Sequence, residues 1–365
     1  MELLPSGGIS RNGSQGSAGL CSLLFRNSSI TQKDQIAGNY PVVSSSGVKS
    51  YHNEWRVEGP GVVIGRKGTL GTSFYLEGDF WPHDTTLWVK EFYGNSPLFI
   101  YYFLKELELD RYDVGSSNPT LNRNHVHLLP AWLPPVAEQK AITQVLSSLD
   151  DKIDLLHRQN KTLEAIAETL FRQWFIEEAQ DDWEEGTLGT VADNIRCSVK
   201  LSDIQSDGKY IGLEHIDRHE ITLKRCGLSG EINSNKYAFE PRDILFGKLR
   251  PYFHKVCFTS FLGICSTDIL VIRPKCQKWF SFCLFAFFQD EVVEYANLGS
   301  GGTRMPRTNW KMLQDYPILI PDDESLTRFN DLVLPSIEKM TYNLTQIQTL
   351  EKLRDTRLCI EAEKF

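Results

Sequence analysis

The chain has 365 residues, of which 24% are charged and 41% are hydrophobic, and its formal net charge is -8 at pH 7. This length gives room for two or three domains, each with a core of its own. The negative charge argues against a protein that binds any polyanion without selection, although it does not exclude a local positive surface.

The excess acid lies in two segments of the chain. Residues 136–182 carry 5 Lys and Arg against 10 Asp and Glu, and residues 322–365 carry 6 against 9. Residues 1–135 and 183–321 are near neutral, with 11 against 12 and 17 against 16. Because acidic segments repel phosphates, we expect a DNA-facing surface only in the two near-neutral segments.

The cysteines and the N-terminus indicate an intracellular protein. None of the 8 cysteines forms a C-x-x-C pair, so we predict reduced thiols in the cytoplasm and no metal site. The N-terminus lacks the basic start and apolar core of an export signal. The apolar stretch WFSFCLFAFF at 279–288 has about half the ~20 residues that span a bilayer, and it predicts a buried helix.

The glycine-rich stretch GPGVVIGRKGTLG at 59–71 does not fit a nucleotide-binding loop. Lys67 precedes its glycine, whereas a mononucleotide loop needs the Lys after it. The spacing G-x-x-G-x-x-G from Gly65 also differs from the dinucleotide fingerprint, and it runs into the strand-like SFYL. We predict a strand that ends at Ile64, followed by a tight turn that projects Arg66 and Lys67.

The sequence contains no recognisable catalytic motif. Neither H-E-x-x-H nor G-x-S-x-G occurs. Asn118-Pro119 could begin the [ND]-P-P-[YF] motif of amino-methyltransferases, but Thr120 stands where the second proline belongs. His83 and Asp84 are a possible acid-base pair, yet a polar turn before the strand TLWV explains them more simply. We therefore predict a chain without catalytic activity of its own.

A long helix is predicted in the segment 136–182. From position 142 its apolar residues recur in alternating steps of four and three, which is the heptad pattern of a coiled coil. Asn160 is a polar residue within this seam, and such a residue fixes helix register at a cost in stability. The predicted seam residues of this helix are Ile142, Leu146, Leu149, Ile153, Leu156, Asn160, Leu163 and Leu170.

The sequence repeats itself at an offset of 182 residues, which places Met1 over Trp183. Two strand-like segments recur at this offset: VVIGR at 62–66 over ILFGK at 244–248, and TTLWV at 85–89 over TDILV at 267–271. The repeat divides the chain into a mixed domain at 1–135, a helix at 136–182, a second mixed domain at 183–321 and a second helix at 322–365.

The second helical segment supplies a partner for the first. Ile337, Leu344 and Ile347 recur there at helical spacing. Equivalent helices of duplicated domains related by a two-fold axis pair antiparallel. The predicted fold is α+β, with two mixed α/β domains related by a pseudo-two-fold repeat and separated by an antiparallel two-helix coiled coil. The alternative is that the heptad helix mediates homodimerisation.

Polar residues suited to DNA cluster at matching places in both halves. Arg can form two hydrogen bonds with guanine and Asn with adenine, while Lys, Ser and Thr suit phosphates. The candidates of the first half are Arg66, Lys67, Thr69, Asn118, Thr120, Asn122, Arg123 and His125. Those of the second half are Lys248, Arg250, Tyr252, His254, Lys255, Ser300, Arg304 and Arg307. An exposed Arg or Asn is usually a solvated surface group, so the recurrence is what favours a role in binding.

Several stretches resemble the specificity subunit of type I restriction-modification enzymes. LPPVAEQKAITQVLSSLDDKIDLLHRQNKTLEAIAETLFRQWF at 133–175 is similar to the central conserved region of that family. YPVVSSSGVKSYHNEW, GPGVVIGRKGTLGT, FWPHDTTLWV and SNPTLNRNHVHLLP resemble one of its target recognition domains, and WEEGTLG at 183–189 resembles the start of the second. The resemblance covers nearly the whole chain.

The resemblance implies a DNA-recognition scaffold. Residues 1–135 and 183–321 would be target recognition domains that each read one half of a bipartite site in double-stranded DNA, and the helices would set their separation. Two methyltransferase subunits would dock on the chain, and restriction subunits would be recruited. S-adenosylmethionine, ATP and Mg would be bound by these partners, with no cofactor on this chain. We expect the acidic residues Glu164 and Glu168 to offer docking surface to the methyltransferase subunits.

Two other classes of function remain open. A type IIG-like enzyme with an unrecognised catalytic part would methylate or cut DNA without a partner. A coiled-coil adaptor that never reads DNA sequence would form concentration-dependent dimers, whereas an intramolecular helix pair predicts a monomer.

Overall fold

The computed structural model describes residues 22–24, 30–31, 33–112, 120–127, 133–204, 207–232, 234–298 and 305–363. The chain forms two compact units: unit 1 comprises residues 1–151 and 351–365, and unit 2 comprises residues 152–350. Both units contain strands and helices, so the mixed α/β character predicted from the sequence is confirmed.

Unit 1 is built on two small sheets and two short helices. Its described elements are β1 (Ser22–Leu24), β2 (Tyr40–Ser44), β3 (Gly47–His52), β4 (Gly61–Gly65), β5 (Ser73–Leu76), β6 (Trp81–Pro82), β7 (Thr86–Glu91), α1 (Pro97–Glu106) and α2 (Arg123–His127). One sheet has the order β1-β7-β4-β5, with antiparallel neighbours throughout. The other has the order β3-β2-β6, in which β2 and β6 are parallel.

Strand β4 lies at the centre of unit 1, and all of its residues are buried. Val62 and Ile64 pack in one cluster with Ile100 of α1, whereas Val63 packs in another with Phe80. Successive side chains of a strand point to opposite faces. The continuous apolar run of β4 therefore reflects burial on both faces of its sheet.

The described residues of unit 2 form three sheets. Its strands are β8 (Glu184–Thr187), β9 (Ala192–Ile195), β10 (Ser198–Val199), β11 (Lys209–Ile211), β12 (Gly227–Leu228), β13 (Lys236–Phe239), β14 (Ile244–Gly247), β15 (Val256–Phe258), β16 (Gly263–Cys265), β17 (Ile269–Pro274) and β18 (Pro317–Ile320). They pair in the orders β10-β13-β16-β11-β12, β15-β14-β17-β9 and β18-β8.

The helices of unit 2 cover one face of the β14 sheet. Its short helices are α4 (Leu188–Val191), α5 (Phe280–Phe288), α6 (Asp290–Leu298) and α7 (Trp310–Leu313), numbered after the long helix α3 described below. Every residue of α5 is buried, so the buried helix predicted from WFSFCLFAFF is confirmed. Ile244 and Phe246 of β14 pack with α5, and Leu245 packs on the opposite face. No helix among the described residues is both long and apolar enough to cross a membrane.

Two long helices belong in part to each unit. Helix α3 (Val136–Arg172) continues into a π-helical turn at Gln173–Glu177, and α8 (Asp323–Glu363) contains Pro335 within its length. In unit 2 the two helices pair in antiparallel order. Asn160 of α3 bonds to Asn343 of α8, and further along α3 the ring of Phe171 lies 6.1 Å from the ring of Phe329.

The buried face of α3 departs from the predicted heptad after Asn160. Leu146, Ile153, Leu156 and Asn160 are buried, while Ile142 and Leu149 are half-buried. Beyond this point Leu163 and Leu170 still contact the core, but their neighbours Glu164 and Phe171 are more deeply buried. A straight helix has 3.6 residues per turn, so its inner face drifts away from a strict seven-residue repeat. In α8 the predicted seam residues Ile337, Leu344 and Ile347 are all buried.

The strand register corrects the alignment of the two halves by one residue. Strands β4 and β14 keep the predicted offset of 182. Val63 pairs with Trp88, and its counterpart Leu245 pairs with Val271. Trp88 therefore corresponds to Val271 at an offset of 183 (271 minus 88) and not to Leu270, so the alignment of TTLWV over TDILV is wrong by one residue. A slip of one residue reverses the faces of a strand, and hydrogen bonding fixes it where the sequence pattern does not.

Candidate nucleic-acid interface

The turn after β4 is shaped by glycines. Gly68 and Gly71 have φ values of 80° and 73°, a region that glycine occupies without strain. A Cβ on Gly65 would lie 2.1 Å from the backbone oxygen of Thr69, so only glycine fits there. The predicted strand and tight glycine turn are confirmed, with the strand ending at Gly65, one residue later than expected.

The backbone holds this turn against a second polar loop. The N–H groups of Arg66 and Lys67 donate to the backbone oxygen of Thr85 over 2.9 and 3.1 Å. The backbone oxygen of Arg66 in turn accepts a hydrogen bond of 2.9 Å from Leu121, and Lys67 forms a β-bridge with Thr120. The two predicted polar clusters of the first half are therefore neighbours. Lys67 and Thr69 are exposed, and the half-buried candidates beside them are Arg66, Thr120, Asn122 and Arg123.

Unit 2 contains the same junction after β14. The N–H of Lys248 donates to the backbone oxygen of Asp268 over 2.8 Å, and the oxygen of Lys248 accepts from Thr308 over 3.1 Å. Leu249 forms a β-bridge with Arg307. The backbone bonds of Lys248 thus match those of Arg66 in unit 1. Here Arg307 and Tyr252 are exposed, and Lys248 and Arg250 are half-buried.

Positive charge predominates around Lys248. Burial lowers the pKa of Lys248, the Asp268 carboxylate opposes this effect, and the guanidinium groups of Arg196 and Arg307 lower the pKa further. Arg307 reaches Asp268 with an Nε–Oδ1 distance of 3.4 Å. Three cations thus face one carboxylate, an arrangement that attracts an anion such as a DNA phosphate.

Several candidates have other environments. Asn118, Ser300 and Arg304 lie outside the described residues, as does the side chain of His125. His254 is only 3% exposed, so it is not part of a DNA-facing surface, and the half-buried Lys255 donates to the backbone oxygen of Leu213. The prediction that His254 belongs to a polar surface cluster is wrong, because its side chain is buried.

The expectation that Glu164 offers a docking surface is also wrong. Its side chain is 8% exposed and accepts a hydrogen bond of 3.2 Å from the N–H of Ile221, so it cannot offer a docking surface. Burial raises the pKa of this carboxyl to about 7. The charge count of the segment did not reveal which acids point inward.

Two arginines beside the unit 2 junction were not among the residues predicted from the sequence. The charge of Arg196 lowers the pKa of Lys248. The guanidinium carbon of Arg218 lies 3.8 Å from the ring centroid of Phe253. Phe253 is part of the 3-10 turn Pro251–Phe253, which follows Arg250. Neither arginine belongs to a segment that recurs in both halves, so comparing the halves could not identify them.

His83 and Asp84 form the polar turn that the sequence favoured. Their Nδ1 and Oδ1 atoms lie 2.6 Å apart. The Thr86 hydroxyl donates to the His83 backbone oxygen over 2.7 Å, and the His83 N–H donates to Val43 over 2.8 Å. These bonds fix the turn before β7.

Three comparisons with known proteins support one family. Residues 19–165 match the sequence model of the Type I restriction modification DNA specificity domain. The type I restriction enzyme MjaIX specificity subunit of Methanocaldococcus jannaschii is 25% identical over 295 residues, which are 71% of this chain and 67% of that protein. The EcoDI specificity subunit of Escherichia coli is 23% identical over 326 residues, or 78% of this chain and 72% of that protein.

A solved structure shares the fold. The crystal structure of the type I restriction-modification system S subunit from M. genitalium superposes with a TM-score of 0.59 at 17% identity, over 93% of this chain and 92% of that chain. The resemblance stated from the sequence is thereby confirmed. Residues 19–165 match the DNA specificity domain of type I restriction-modification systems, and the chain is similar over most of its length to specificity subunits of that family.

Proposed function

We propose that this chain is the DNA sequence-specificity subunit of a type I restriction-modification complex and that it recognises a bipartite site in double-stranded DNA. One observation carries the proposal. In each unit a cationic residue after the central strand is bonded through its backbone to a second polar loop, as Arg66 is to Leu121 and Lys248 is to Thr308. Such junctions hold donors in fixed positions, which reading base edges requires.

Each junction would read one half of the site. Units 1 and 2 each carry their own junction, and each junction contains Arg or Lys together with hydroxyl or amide side chains. Cations position a protein on phosphates, while Arg and Asn discriminate bases in the major groove. In this proposal α3 and α8 form an antiparallel coiled-coil spacer between the two target recognition domains at 1–135 and 183–321.

The chemistry would reside in partner subunits. We propose that the chain is non-catalytic and cytoplasmic and that it assembles with two methyltransferase subunits and with restriction subunits. S-adenosylmethionine, ATP and Mg would be bound by those partners. The hydrogen-bonded turn at His83 and Asp84 gives that pair a structural role.

Selection from random duplex DNA tests the proposal. The chain is assembled with its methyltransferase subunit, and the retained DNA is sequenced. We expect two short defined blocks at a fixed separation, and replacement of residues 1–135 by those of a relative should change only one block. Enrichment of a single block, or of none, would contradict bipartite reading. The chain alone is incubated with DNA and S-adenosylmethionine in parallel, because methylation or cleavage there would favour a fused enzyme.

A further inference from the structure

Three side chains of unit 2 that commonly bind metals meet at one place. The ligand atoms of His219, His254 and Asp290 all lie within 4.8 Å of one another. Nδ1 of His254 is 2.9 Å from Oδ1 of Asp290, and Nδ1 of His219 is 3.9 Å from the same oxygen. The centroids of the two imidazole rings are 4.2 Å apart.

These distances suit a small tetrahedral ion. Zinc binds imidazole nitrogen and carboxylate oxygen at about 2.0–2.2 Å, so two ligand atoms of a tetrahedral site lie about 3.3 Å apart. One of the two observed separations is shorter than this value and the other is longer. A bound ion would need to change each of these two separations by only about half an ångström, which side-chain torsions readily supply, and the nitrogen atoms of the two imidazoles lie within 4.8 Å of each other.

One of the three proposed ligands, His254, is built into the protein core. His254 is 3% exposed, its ring packs edge-on against Phe288 at 4.6 Å, and its Nδ1 faces Asp290. This packing holds the imidazole ring in one orientation, which a metal ligand requires.

The backbone also fixes the two histidines. His219 and His254 have φ values of 51° and 48°, in the left-handed region that few residues other than glycine occupy. The N–H of His219 donates to the backbone oxygen of His254 over 3.0 Å. Nearby, the Arg172 guanidinium is bound by Gln289 and Glu291 and so does not compete for Asp290.

We propose that His219, His254 and Asp290 bind a divalent transition-metal ion, for which zinc is the best match to two imidazoles and one carboxylate. The side chains of His219 and Asp290 are 63% and 71% exposed, so water would complete the coordination. The ion would join the loop at His219, the start of α6 and the 3-10 turn Pro251–Phe253, which ends at His254. It would therefore stiffen the turn that carries Tyr252, whether or not DNA is bound.

The sequence did not reveal this site because its residues are far apart along the chain. The spacings are 35 residues (254 minus 219) and 36 residues (290 minus 254), which match no short motif. The prediction of no metal site used the absence of C-x-x-C pairs, and that criterion does not detect ligands brought together only by the fold.

Metal binding is tested on the full chain after dialysis against a chelator. Titration with Zn²⁺ by calorimetry should show one site, and Co²⁺ should give the visible absorption of a four-coordinate nitrogen and oxygen site. Asn tolerates the left-handed backbone, so His219→Asn should fold. It should bind Zn²⁺ at least about tenfold more weakly than the wild type. Asp290→Asn should do the same. The matched control His83→Asn removes the histidine of another His–Asp pair and should leave the binding unchanged.

Two results would contradict metal binding at His219, His254 and Asp290. Equal Zn²⁺ affinity in wild type, His219→Asn and Asp290→Asn would overturn the proposal. A cobalt spectrum dominated by thiolate bands would do so as well, because it would assign the ion to the exposed Cys197, Cys226 or Cys276. Zn²⁺ should also raise the unfolding temperature of the wild type and not that of the two ligand variants.

Discussion

Asn343 of α8 donates a hydrogen bond of 2.7 Å from Nδ2 to Oδ1 of Asn160 in α3, and both side chains are buried. Asn160 also donates to the backbone oxygen of Met340 over 3.3 Å. The polar position in the seam of α3 thus has a polar partner on α8. A buried pair of this kind disfavours any shift of one helix past the other, because each shift leaves both amides unpaired.

Removal of one amide should cost more than removal of both. We expect Asn343→Leu to lower the free energy of unfolding by about 1–3 kcal/mol, since Asn160 Oδ1 then has no donor in a buried site. The double variant Asn160→Leu/Asn343→Leu should recover most of that loss, because apolar groups replace both partners. Urea unfolding of the full chain measures all three proteins.

A substitution on the outer face of α8 provides the control. Thr345 is exposed, so Thr345→Leu should change the unfolding free energy by less than about 0.5 kcal/mol. If the double variant is destabilised by the sum of the single variants, the two asparagines act independently and the coupling inferred here is wrong.

Glu164 should make the stability of the protein depend on pH. Burial raises the pKa of this carboxyl to about 7, the Ile221 N–H opposes the shift, and the charges of Glu220 and Glu168 add to it. The folded state therefore binds the proton more tightly than the unfolded state, whose pKa is 4.5. The stabilising effect is complete below about pH 4.5 and is lost as the pH rises through about 7.

Glu164→Gln keeps an acceptor for Ile221 and removes the titration. At pH 8 we expect the variant to be more stable than wild type, by up to about 3 kcal/mol for a shift of this size. Near pH 4.5 the two proteins should have similar stability. Thermal unfolding across this range measures the difference, and Glu177→Gln, at an exposed position of the same segment, should follow the wild-type curve. A constant difference at all pH values would rule out the titration of Glu164 as its cause.

The parts of the fold that the sequence predicts are those with strong local patterns. The apolar run of α5, the strand and glycine turn around Gly65, and the buried Asn160 all depend on residues near them in sequence. The inward position of Glu164 depends instead on Ile221, which lies in a different part of unit 2. The cluster of His219, His254 and Asp290 likewise requires three distant segments to meet, and no periodicity encodes such a meeting.

Residues at the unit 2 junction should affect only one half of the DNA site. Arg307→Ala removes an exposed cation beside Lys248, and we expect it to weaken binding of the assembled complex by about 1–3 kcal/mol if Arg307 reads a base. Selectivity should then relax at one position of one block. Lys67→Ala in unit 1 should instead act as the loss of a phosphate contact, weakening binding to all sequences and reducing the salt dependence.

Matched lysines separate these effects from a general change in charge. Lys311 and Lys90 are exposed positions of units 2 and 1 outside the junctions. Lys311→Ala and Lys90→Ala should leave both blocks and the affinity nearly unchanged. Equal losses in the junction variants and in these controls would mean that net charge, and not the junction, determines binding.

Asp150 joins three helices of unit 1, and its carboxylate should be essential to that connection. Oδ2 accepts from the Tyr102 hydroxyl of α1 and Oδ1 accepts from Nη1 of Arg354 in α8, each over 2.7 Å. Burial raises the pKa of Tyr102, so its hydroxyl stays protonated and remains a donor. An amide offers one oxygen only, and its NH₂ would face a donor. We therefore expect Asp150→Asn to lower the free energy of unfolding by about 2–4 kcal/mol, nearly as much as Asp150→Ala.

The neighbouring residue Asp151 provides a matched control for this prediction. Asp151 is exposed, so Asp151→Asn removes the same charge from the same turn of α3 and should cost less than about 0.5 kcal/mol. Tyr102→Phe should cost about 1 kcal/mol, because it removes one hydrogen bond and leaves the ion pair with Arg354 intact. The contrary outcome in urea unfolding would be the same small loss of unfolding free energy for Asp150→Asn as for Asp151→Asn. In that case the charge of the Asp150 carboxylate does not stabilise unit 1, and apolar packing must hold the end of α8 there.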